Sequence, residues 1–172
     1  TQLWDEERLT TWFDTFMPTL ELRNDTVAEL MSDSALVWIT EYDFDGFRHD
    51  ATKHIPMNFT RLLTQKIRAA SEDHVYQIGE TYGSDELIAS YVGSGKVDAQ
   101  FNFNLYDAAF EAFTQEGATF DRLRKALESS LTYYGHHHLM GNISGNQDKP
   151  RFSSMASGHL SMSEDSKLAG WT

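Results

Sequence analysis

The chain has 172 residues, of which 26 are acidic and 14 are basic, so its formal net charge is −12. This charge disfavours nucleic acids and anionic membranes as partners, and the absence of cysteine excludes disulfides and thiolate metal sites. Apolar residues make up 40% of the chain, enough for a domain-sized core, and no apolar run approaches the roughly 18 residues of a membrane span.

Predicted helices and strands alternate along the chain. The predicted helices cover residues 24–42, 58–71, 105–115 and 120–134, and the predicted strands cover residues 44–50, 75–80, 99–104 and 138–143. Asn24 or Asp25 is expected to cap the first helix, and Pro56 lies just ahead of the second. A further short helix is expected near residues 163–168.

Apolar residues at helical spacing predict which face of each helix is buried. The first helix is expected to bury Val27, Leu30, Met31, Trp38 and Tyr42. The second is expected to bury Phe59, Leu62, Leu63, Ile67 and Ala70. The last is expected to bury Phe120, Leu123, Leu127, Leu131 and Tyr134.

This alternation predicts an α/β fold with parallel strands. Two sheet architectures are compatible with this alternation: an open doubly wound sheet and part of a (β/α)8 barrel. No glycine-rich phosphate loop follows a predicted strand, which disfavours a dinucleotide-binding fold. A complete barrel needs about 250 residues, so this chain can supply about half of one.

Asp50 and Glu80 are the last residues of two predicted strands, and Asp148 lies past the fourth predicted strand. In parallel β/α folds, active sites are built at these carboxyl ends of strands. Gly46, Arg48 and Asp50 share one strand face, so a guanidinium is expected to keep Asp50 ionised. Glu80 could be protonated in a drier pocket, and two carboxyls in different protonation states are what glycosidic cleavage requires. In a chain with 26 acidic residues, a single carboxylate at a strand end is usually a solvated loop acid or a helix N-cap, so the prediction depends on the three together.

Five segments resemble motifs of the α-amylase superfamily, glycoside hydrolase family 13. Residues 45–54 (Asp-Gly-Phe-Arg-His-Asp-Ala-Thr-Lys-His) resemble its fourth-strand signature, and residues 78–80 and 145–148 resemble the fifth- and seventh-strand motifs. Residues 17–20 and 96–103 resemble the neopullulanase and cyclomaltodextrinase branch. The motifs follow the family's order and span nearly the whole chain.

The resemblance implies a partial TIM (β/α)8 barrel that covers about strands 4 to 7 with their helices. Residues 1–172 would then be a fragment of a single catalytic domain, truncated at both ends. The implied activity is retaining hydrolysis of α-glucosidic bonds in starch-like or malto-oligosaccharide substrates. Because strands one to three and eight would be missing, we expect these 172 residues alone to be inactive.

The resemblance also implies residue roles. Asp50 would be the nucleophile, Glu80 the general acid/base, and Asp148 the carboxylate that grips the sugar in its distorted transition state. Arg48 would orient Asp50.

Three further residues would bind substrate by the same resemblance. Lys53 and His54 would contact the sugar on the leaving-group side. Gln147 stands where the family usually has histidine, and its amide can also donate a hydrogen bond.

His49 stands where the family usually has an apolar residue. Strand alternation predicts that it points towards the helical layer and needs a hydrogen-bond partner there.

Several alternatives stay open. A transglycosylase would use the same site with a sugar acceptor, an inactive homologue would only bind carbohydrate, and an open-sheet ligand-binding domain would hold the three carboxylates apart. Residues 136–138, three consecutive histidines, are a weak metal signal because alternate strand residues face opposite ways. Trp12, Tyr82 and Tyr91 are candidate sugar platforms.

Cofactors and location are less determined. The resemblance implies no required cofactor, and no metal ligand is assigned in these residues, although many relatives bind calcium. It is compatible with a secreted or periplasmic location. The sequence does not decide location, oligomeric state, linkage preference or endo/exo mode.

Overall fold

The computed structural model describes residues 6–135, 139–149 and 151–153. In chain order the elements are α1 (Asp25–Thr40), β1 (Gly46–His49), a 3₁₀ turn (Thr52–His54), α2 (Met57–Ala70), β2 (Tyr76–Gly79), α3 (Asp85–Ser90), β3 (Ala99–Gln100), α4 (Phe103–Thr114) and α5 (Asp121–Tyr134). The predicted α/β alternation is confirmed. The short helix α3 was not predicted. The helix expected near residues 163–168 and the histidines at 136–138 lie outside the described residues.

The three strands form one parallel sheet in the order β1-β2-β3. His49 of β1 pairs with Gly79 of β2, and Gly79 pairs in turn with Gln100 of β3. Within the described residues the chain divides into two compact units. The first contains residues 6–83 and 87–100, and the second contains the remaining described residues.

The core of the first unit lies between the sheet and the helices α1 and α2. Phe59, Leu63 and Ile67 of α2 are buried, as predicted, together with Ile39 of α1 and Val75 ahead of β2. Burying one such side chain stabilises a fold by about 1.5–3 kcal/mol. Asn24 caps α1 as expected: its Oδ1 accepts hydrogen bonds from the backbone N–H groups of residues 26 and 27, at 3.0 and 3.3 Å.

The buried face predicted for α1 is wrong. Leu30, Met31 and Trp38 are exposed, and so is Tyr42, which lies beyond the end of the helix. The buried residues are instead Ala28, Ser32 and Ile39. Helices α1 and α2 are in contact, and Ala28 of α1 belongs to the same buried core as Phe59, Leu63 and Ile67 of α2. Trp38 packs beside Tyr42 and Phe44 on the exposed side, so its predicted core position is also wrong.

The predicted strand over residues 99–104 is too long. Strand β3 ends at Gln100, and helix α4 begins at Phe103 because Asn102 caps it, its Oδ1 accepting from the Leu105 N–H at 3.2 Å. Of the strand predicted at 138–143, the described part makes one parallel bridge, between Phe101 and Gly141.

The apolar stripe predicted for α5 is wrong at three of its five positions. Phe120, Leu127 and Leu131 are exposed, whereas Tyr134 is buried as predicted, and Ser130, which was not predicted, is buried beside it. Hydrogen bonds set this rotation of the helix. Tyr134 donates to Asp85 Oδ1 at 2.6 Å, and Ser130 Oγ accepts from Asn102 Nδ2 at 3.0 Å. The polar partners therefore turn Ser130 and Tyr134 inwards.

Gly46 provides a test of the sheet. A Cβ at Gly46 would lie 2.2 Å from the backbone oxygen of Tyr76, its partner in β2. Because that oxygen cannot move without disturbing the strand pairing, we expect Gly46→Ala to lower the free energy of unfolding by about 1–3 kcal/mol, the typical penalty of overpacking. Chemical denaturation of the protein measures it.

Gly83→Ala is the matched control. Its Cβ would meet only the end of the Leu87 side chain, at 2.8 Å, which can move aside. We expect its effect to stay within about 0.5 kcal/mol. Equal stability losses in the two variants would contradict the assigned β1–β2 pairing.

Candidate active site

The parallel register of β1 and β2 brings Asp50 and Glu80 to the same edge of the sheet. Each residue directly follows its strand, and the ladder continues past the strand ends. Glu80 N–H donates to the His49 carbonyl at 2.9 Å, and Thr52 N–H donates to the Glu80 carbonyl at 2.7 Å. The backbone positions of the two predicted catalytic carboxylates are therefore set by hydrogen bonds between adjacent segments.

Arg48 links the two carboxylates. Its Nη1 donates to Asp50 Oδ1, and its Nη2 lies 2.7 Å from Glu80 Oε1. The side chain of Asp50 is 77% exposed, whereas that of Glu80 is only 10% exposed. One guanidinium thus contacts an exposed carboxylate and a buried one, two environments that favour different protonation states.

Glu80 is the group whose protonation the site alters. Burial, the largest cause, raises the pKa of the Glu80 carboxyl, and the neighbouring Asp50 carboxyl raises it further. The Ala51 N–H, which donates to Glu80 Oε2 at 3.3 Å, and the charge of Arg48 act in the opposite direction. Because the folded pKa is raised, the contribution of Glu80 to stability is fully present below its unfolded pKa. It is lost as the pH rises through the folded value.

A pocket of about 230 Å³ opens beside Glu80. It is lined by Phe13, Ala51, Lys53, His54, Glu80 and Tyr82. The predicted substrate-binding residues Lys53 and His54 therefore lie in the same pocket as the predicted acid/base. Tyr82, a predicted sugar platform, also lines this pocket.

His54 is held in a defined orientation. Its Nδ1 lies 2.7 Å from the backbone oxygen of Arg8, and since a carbonyl only accepts, Nδ1 carries the proton of this bond. The ring of Phe13 packs edge-on against the imidazole, with 4.7 Å between ring centroids. The segment ahead of α1 thus forms one wall of the pocket.

Two aromatic predictions have different outcomes. Tyr91 is 3% exposed, and its hydroxyl donates to the backbone oxygens of Lys53 and Ile55, at 3.2 and 3.3 Å. It supports the pocket wall from behind and has no free face for a sugar, so its prediction as a platform is wrong. Trp12 is 54% exposed, and its role as a platform stays a prediction.

His49 has the hydrogen-bond partner that its position required. Its Nε2 lies 3.1 Å from Gln77 Oε1, and Gln77 Nε2 donates to Thr64 Oγ1 of α2 at 3.0 Å. Burial lowers the pKa of His49, and the Gln77 bond partly opposes that change. The residue therefore joins the sheet to the helical layer, on the side away from Arg48.

Gln147 and Asp148 lie in the second unit. Gln147 Nε2 donates to Asp148 Oδ2 at 3.1 Å, and Asp148 N–H donates to Asn146 Oδ1 at 3.0 Å. The adjacent Lys149 pairs with Asp107 of α4 at 3.2 Å, which attaches this turn to the helix. The predicted convergence of Asp148 with Asp50 and Glu80 stays a prediction.

The sequence motifs alone missed Phe13 and Thr52. Phe13 reaches His54 from 41 positions away along the chain, so local spacing gives no signal for it. The Thr52 hydroxyl accepts from Glu80 N–H, a contact that only the strand pairing creates. Among the described residues, no group of three histidine, aspartate or glutamate side chains is arranged to hold a metal ion. No described helix is long and apolar enough to cross a membrane.

Comparisons with known proteins agree with these observations. The α-amylase catalytic-domain family matches residues 1–170. A cyclomaltodextrinase from Geobacillus thermopakistaniensis (strain MAS1) is 30% identical over 155 residues, covering 86% of this chain and 26% of the relative. Alpha-amylase 2 of Schizosaccharomyces pombe (strain 972 / ATCC 24843) is 30% identical over 135 residues, covering 78% of this chain and 22% of the relative. The chain therefore spans about a quarter of the length of these relatives.

A solved structure extends the likeness to the fold. The α-amylase of Geobacillus thermoleovorans, crystallised with acarbose, superposes with a TM-score of 0.78 at 27% identity, covering 88% of this chain and 34% of the other. The expected α/β fold, part of a TIM barrel, is confirmed by this match. The doubly wound alternative is excluded.

Arg48 provides a test of the electrostatics. Because its charge lowers the pKa of Glu80, we expect Arg48→Met to raise that pKa further. The measurement is a ¹³C NMR titration of protein labelled at the glutamate carboxyls, with Glu80→Gln identifying the signal. Arg23→Met is the control, since Arg23 pairs with the exposed Glu21 and should leave Glu80 unchanged. A lower Glu80 pKa in Arg48→Met would contradict the assigned ion pair.

Proposed function

The chain belongs to the α-amylase catalytic-domain family, and on that premise we propose that it is the part of a retaining glycoside hydrolase that carries the nucleophile and the acid/base. The substrates would be starch-like α-glucans or malto-oligosaccharides. The observation that carries the proposal is the raised pKa of Glu80 beside Asp50, with Arg48 contacting both carboxyls.

The first step would join the sugar to Asp50. The Asp50 carboxylate attacks the anomeric carbon, the glycosidic C–O bond breaks, and the Glu80 proton passes to the departing oxygen. The product is a glycosyl ester on Asp50 and an ionised Glu80. The charge of Arg48 would favour the ionised Glu80 that this step leaves behind.

The second step would release the sugar. Ionised Glu80 takes a proton from a water molecule as the water oxygen attacks the anomeric carbon, and the bond to Asp50 breaks. Both carboxyls return to their starting states. Two inversions at one carbon leave the anomeric configuration of the substrate unchanged.

The remaining site residues would bind sugar. Lys53, His54 and Tyr82 line the pocket beside Glu80, on the side to which the leaving group would depart. We propose that Asp148 binds the sugar in its cation-like transition state, and that the Gln147 amide donates to substrate as well as to Asp148. No step of this mechanism uses a metal. Binding of calcium elsewhere in the full-length protein stays a prediction.

Transglycosylation is the second candidate. The pocket walls next to Glu80 include the aromatic rings of Phe13 and Tyr82, which could hold a sugar acceptor in the place of water. The first step would be identical, and the product would be a longer or branched oligosaccharide. Product sizes over time, compared at low and high substrate concentration, distinguish the two reactions.

Glu80→Gln tests the acid/base. A general acid must be protonated, so activity should fall as the pH rises through the raised pKa of Glu80. The amide cannot supply a proton. In the full-length protein we expect kcat/KM for malto-oligosaccharides to drop by about 10²–10⁴-fold. The basic limb of the pH profile should disappear.

Glu72→Gln is the control for that experiment, because Glu72 is an exposed glutamate outside the pocket beside Glu80. It should retain full activity and the basic limb. Near-normal turnover by Glu80→Gln would remove Glu80 from the mechanism.

The stereochemical outcome tests Asp50. A double displacement on an α-glucan should release the α-anomer first, which ¹H NMR detects before mutarotation. Initial release of the β-anomer would indicate a single displacement by water and would rule out Asp50 as the nucleophile.

Asp50→Asn should abolish turnover without shifting the thermal midpoint by more than a few degrees, because the Asp50 side chain is largely exposed.

A further inference from the structure

We propose that Thr52 is a positioning residue that holds Glu80 in place for proton transfer. The inference rests on the proposed role of Glu80 as acid/base, and it assigns to Thr52 a function that involves no contact with substrate. Thr52 begins the 3₁₀ turn after β1 and lies two residues beyond Asp50.

Thr52 binds the backbone of Glu80 on both sides. Its Oγ1 accepts from the Glu80 N–H at 2.9 Å and donates its own proton to the His49 carbonyl at 2.9 Å. Its backbone N–H donates to the Glu80 carbonyl at 2.7 Å. Both peptide groups of Glu80 are thus bonded to one threonine, whose hydroxyl is a second acceptor for the Glu80 N–H beside the His49 carbonyl. Loss of the hydroxyl would remove this second acceptor and loosen the backbone from which the acid/base side chain extends.

Ala51 extends the same arrangement to the Glu80 carboxyl. Its φ is +45°, a left-handed conformation that non-glycine residues rarely adopt. This turn directs the Ala51 N–H to Glu80 Oε2 at 3.3 Å and places the Thr52 side chain behind Glu80. A sparsely populated conformation at such a point is typical of a functional site, where neighbouring bonds maintain it.

Gly79 makes room for the Thr52 hydroxyl. A Cβ at Gly79 would lie 2.6 Å from Thr52 Oγ1 and 2.7 Å from the amide nitrogen Nε2 of Gln100. Thr52 itself is 1% exposed, and it does not line the pocket beside Glu80. The hydroxyl therefore acts on the reaction only through Glu80.

The chemistry predicts which substrates would depend on Thr52. A sugar leaving group needs a proton from Glu80 as the C–O bond breaks, whereas an activated phenol departs without one. Misplacing the acid should therefore slow cleavage of malto-oligosaccharides and leave cleavage of an activated aryl glycoside nearly unchanged. A general loss of structure would slow both substrates alike.

The experiment compares Thr52→Val and Thr52→Ser in the full-length protein, using maltotriose and 2,4-dinitrophenyl α-maltoside. Valine keeps the shape and removes the hydroxyl. We expect it to lower kcat/KM for maltotriose on the order of 10- to 100-fold, the effect of a misplacement of up to about 1 Å. For the aryl maltoside, kcat/KM should fall by less than about threefold, because its leaving group needs no proton from the misplaced acid.

Thr52→Ser restores the hydroxyl and should behave like the unsubstituted protein with both substrates. Thr114→Val is the matched control, because Thr114 is another buried threonine, and its hydroxyl donates to the Phe110 carbonyl at 2.7 Å instead of contacting Glu80. It should leave the ratio of the two kcat/KM values unchanged. If Thr52→Val does not fold, Thr52→Ala removes the same hydroxyl with less bulk and is measured in its place.

Two outcomes would overturn the inference. Equal losses with both substrates would assign Thr52 a purely structural role, and unchanged activity with both would show that its hydroxyl is dispensable. Glu80→Gln, measured in parallel, separates this inference from the proposed function. If Glu80→Gln shows the leaving-group dependence and Thr52→Val does not, only the positioning role fails. If Glu80→Gln lacks that dependence, the acid/base assignment itself fails.

Discussion

The pairing of β1 with β2 is the constraint on which the rest of the site depends. Parallel strands in register end at the same edge of a sheet, so the residues that follow His49 and Gly79 must lie side by side. Those residues are Asp50 and Glu80. A slip of one residue would turn one of the two carboxyls to the opposite face. Gly46 and Gly79 maintain the register because their positions leave no room for a side chain.

The two carboxyls differ because their surroundings differ. Asp50 lies beyond the strand end with its side chain mostly in solvent, whereas Glu80 is covered by the turn that Ala51 and Thr52 form. Burial raises the pKa of Glu80, and Arg48 contacts both groups and opposes that rise. One guanidinium between an exposed and a buried carboxyl suits a reaction in which the two groups exchange charge during the cycle.

The helical layer positions the site through polar contacts as well as through its apolar core. The His49–Gln77–Thr64 chain connects β1, β2 and α2, and the buried hydroxyl of Tyr91 bonds to the backbone behind Lys53. In the second unit, Asp85 and Asn102 similarly bond to α5 and determine which of its faces is buried. For α5, these buried polar partners decide an orientation that apolar spacing alone predicted wrongly.

The sequence by itself determined the α/β order, the parallel strands and the family resemblance, and it predicted Asp50, Glu80 and Arg48 as candidate site residues. These features are local, because strand alternation and motif spacing depend on residues that are close together in the sequence. Only the tertiary structure decided the buried faces of α1 and α5, the early end of β3, and the contacts of Phe13, Tyr91 and Thr52 with the site. Each of these depends on residues distant in the sequence, and periodicity within one element carries no information about such partners.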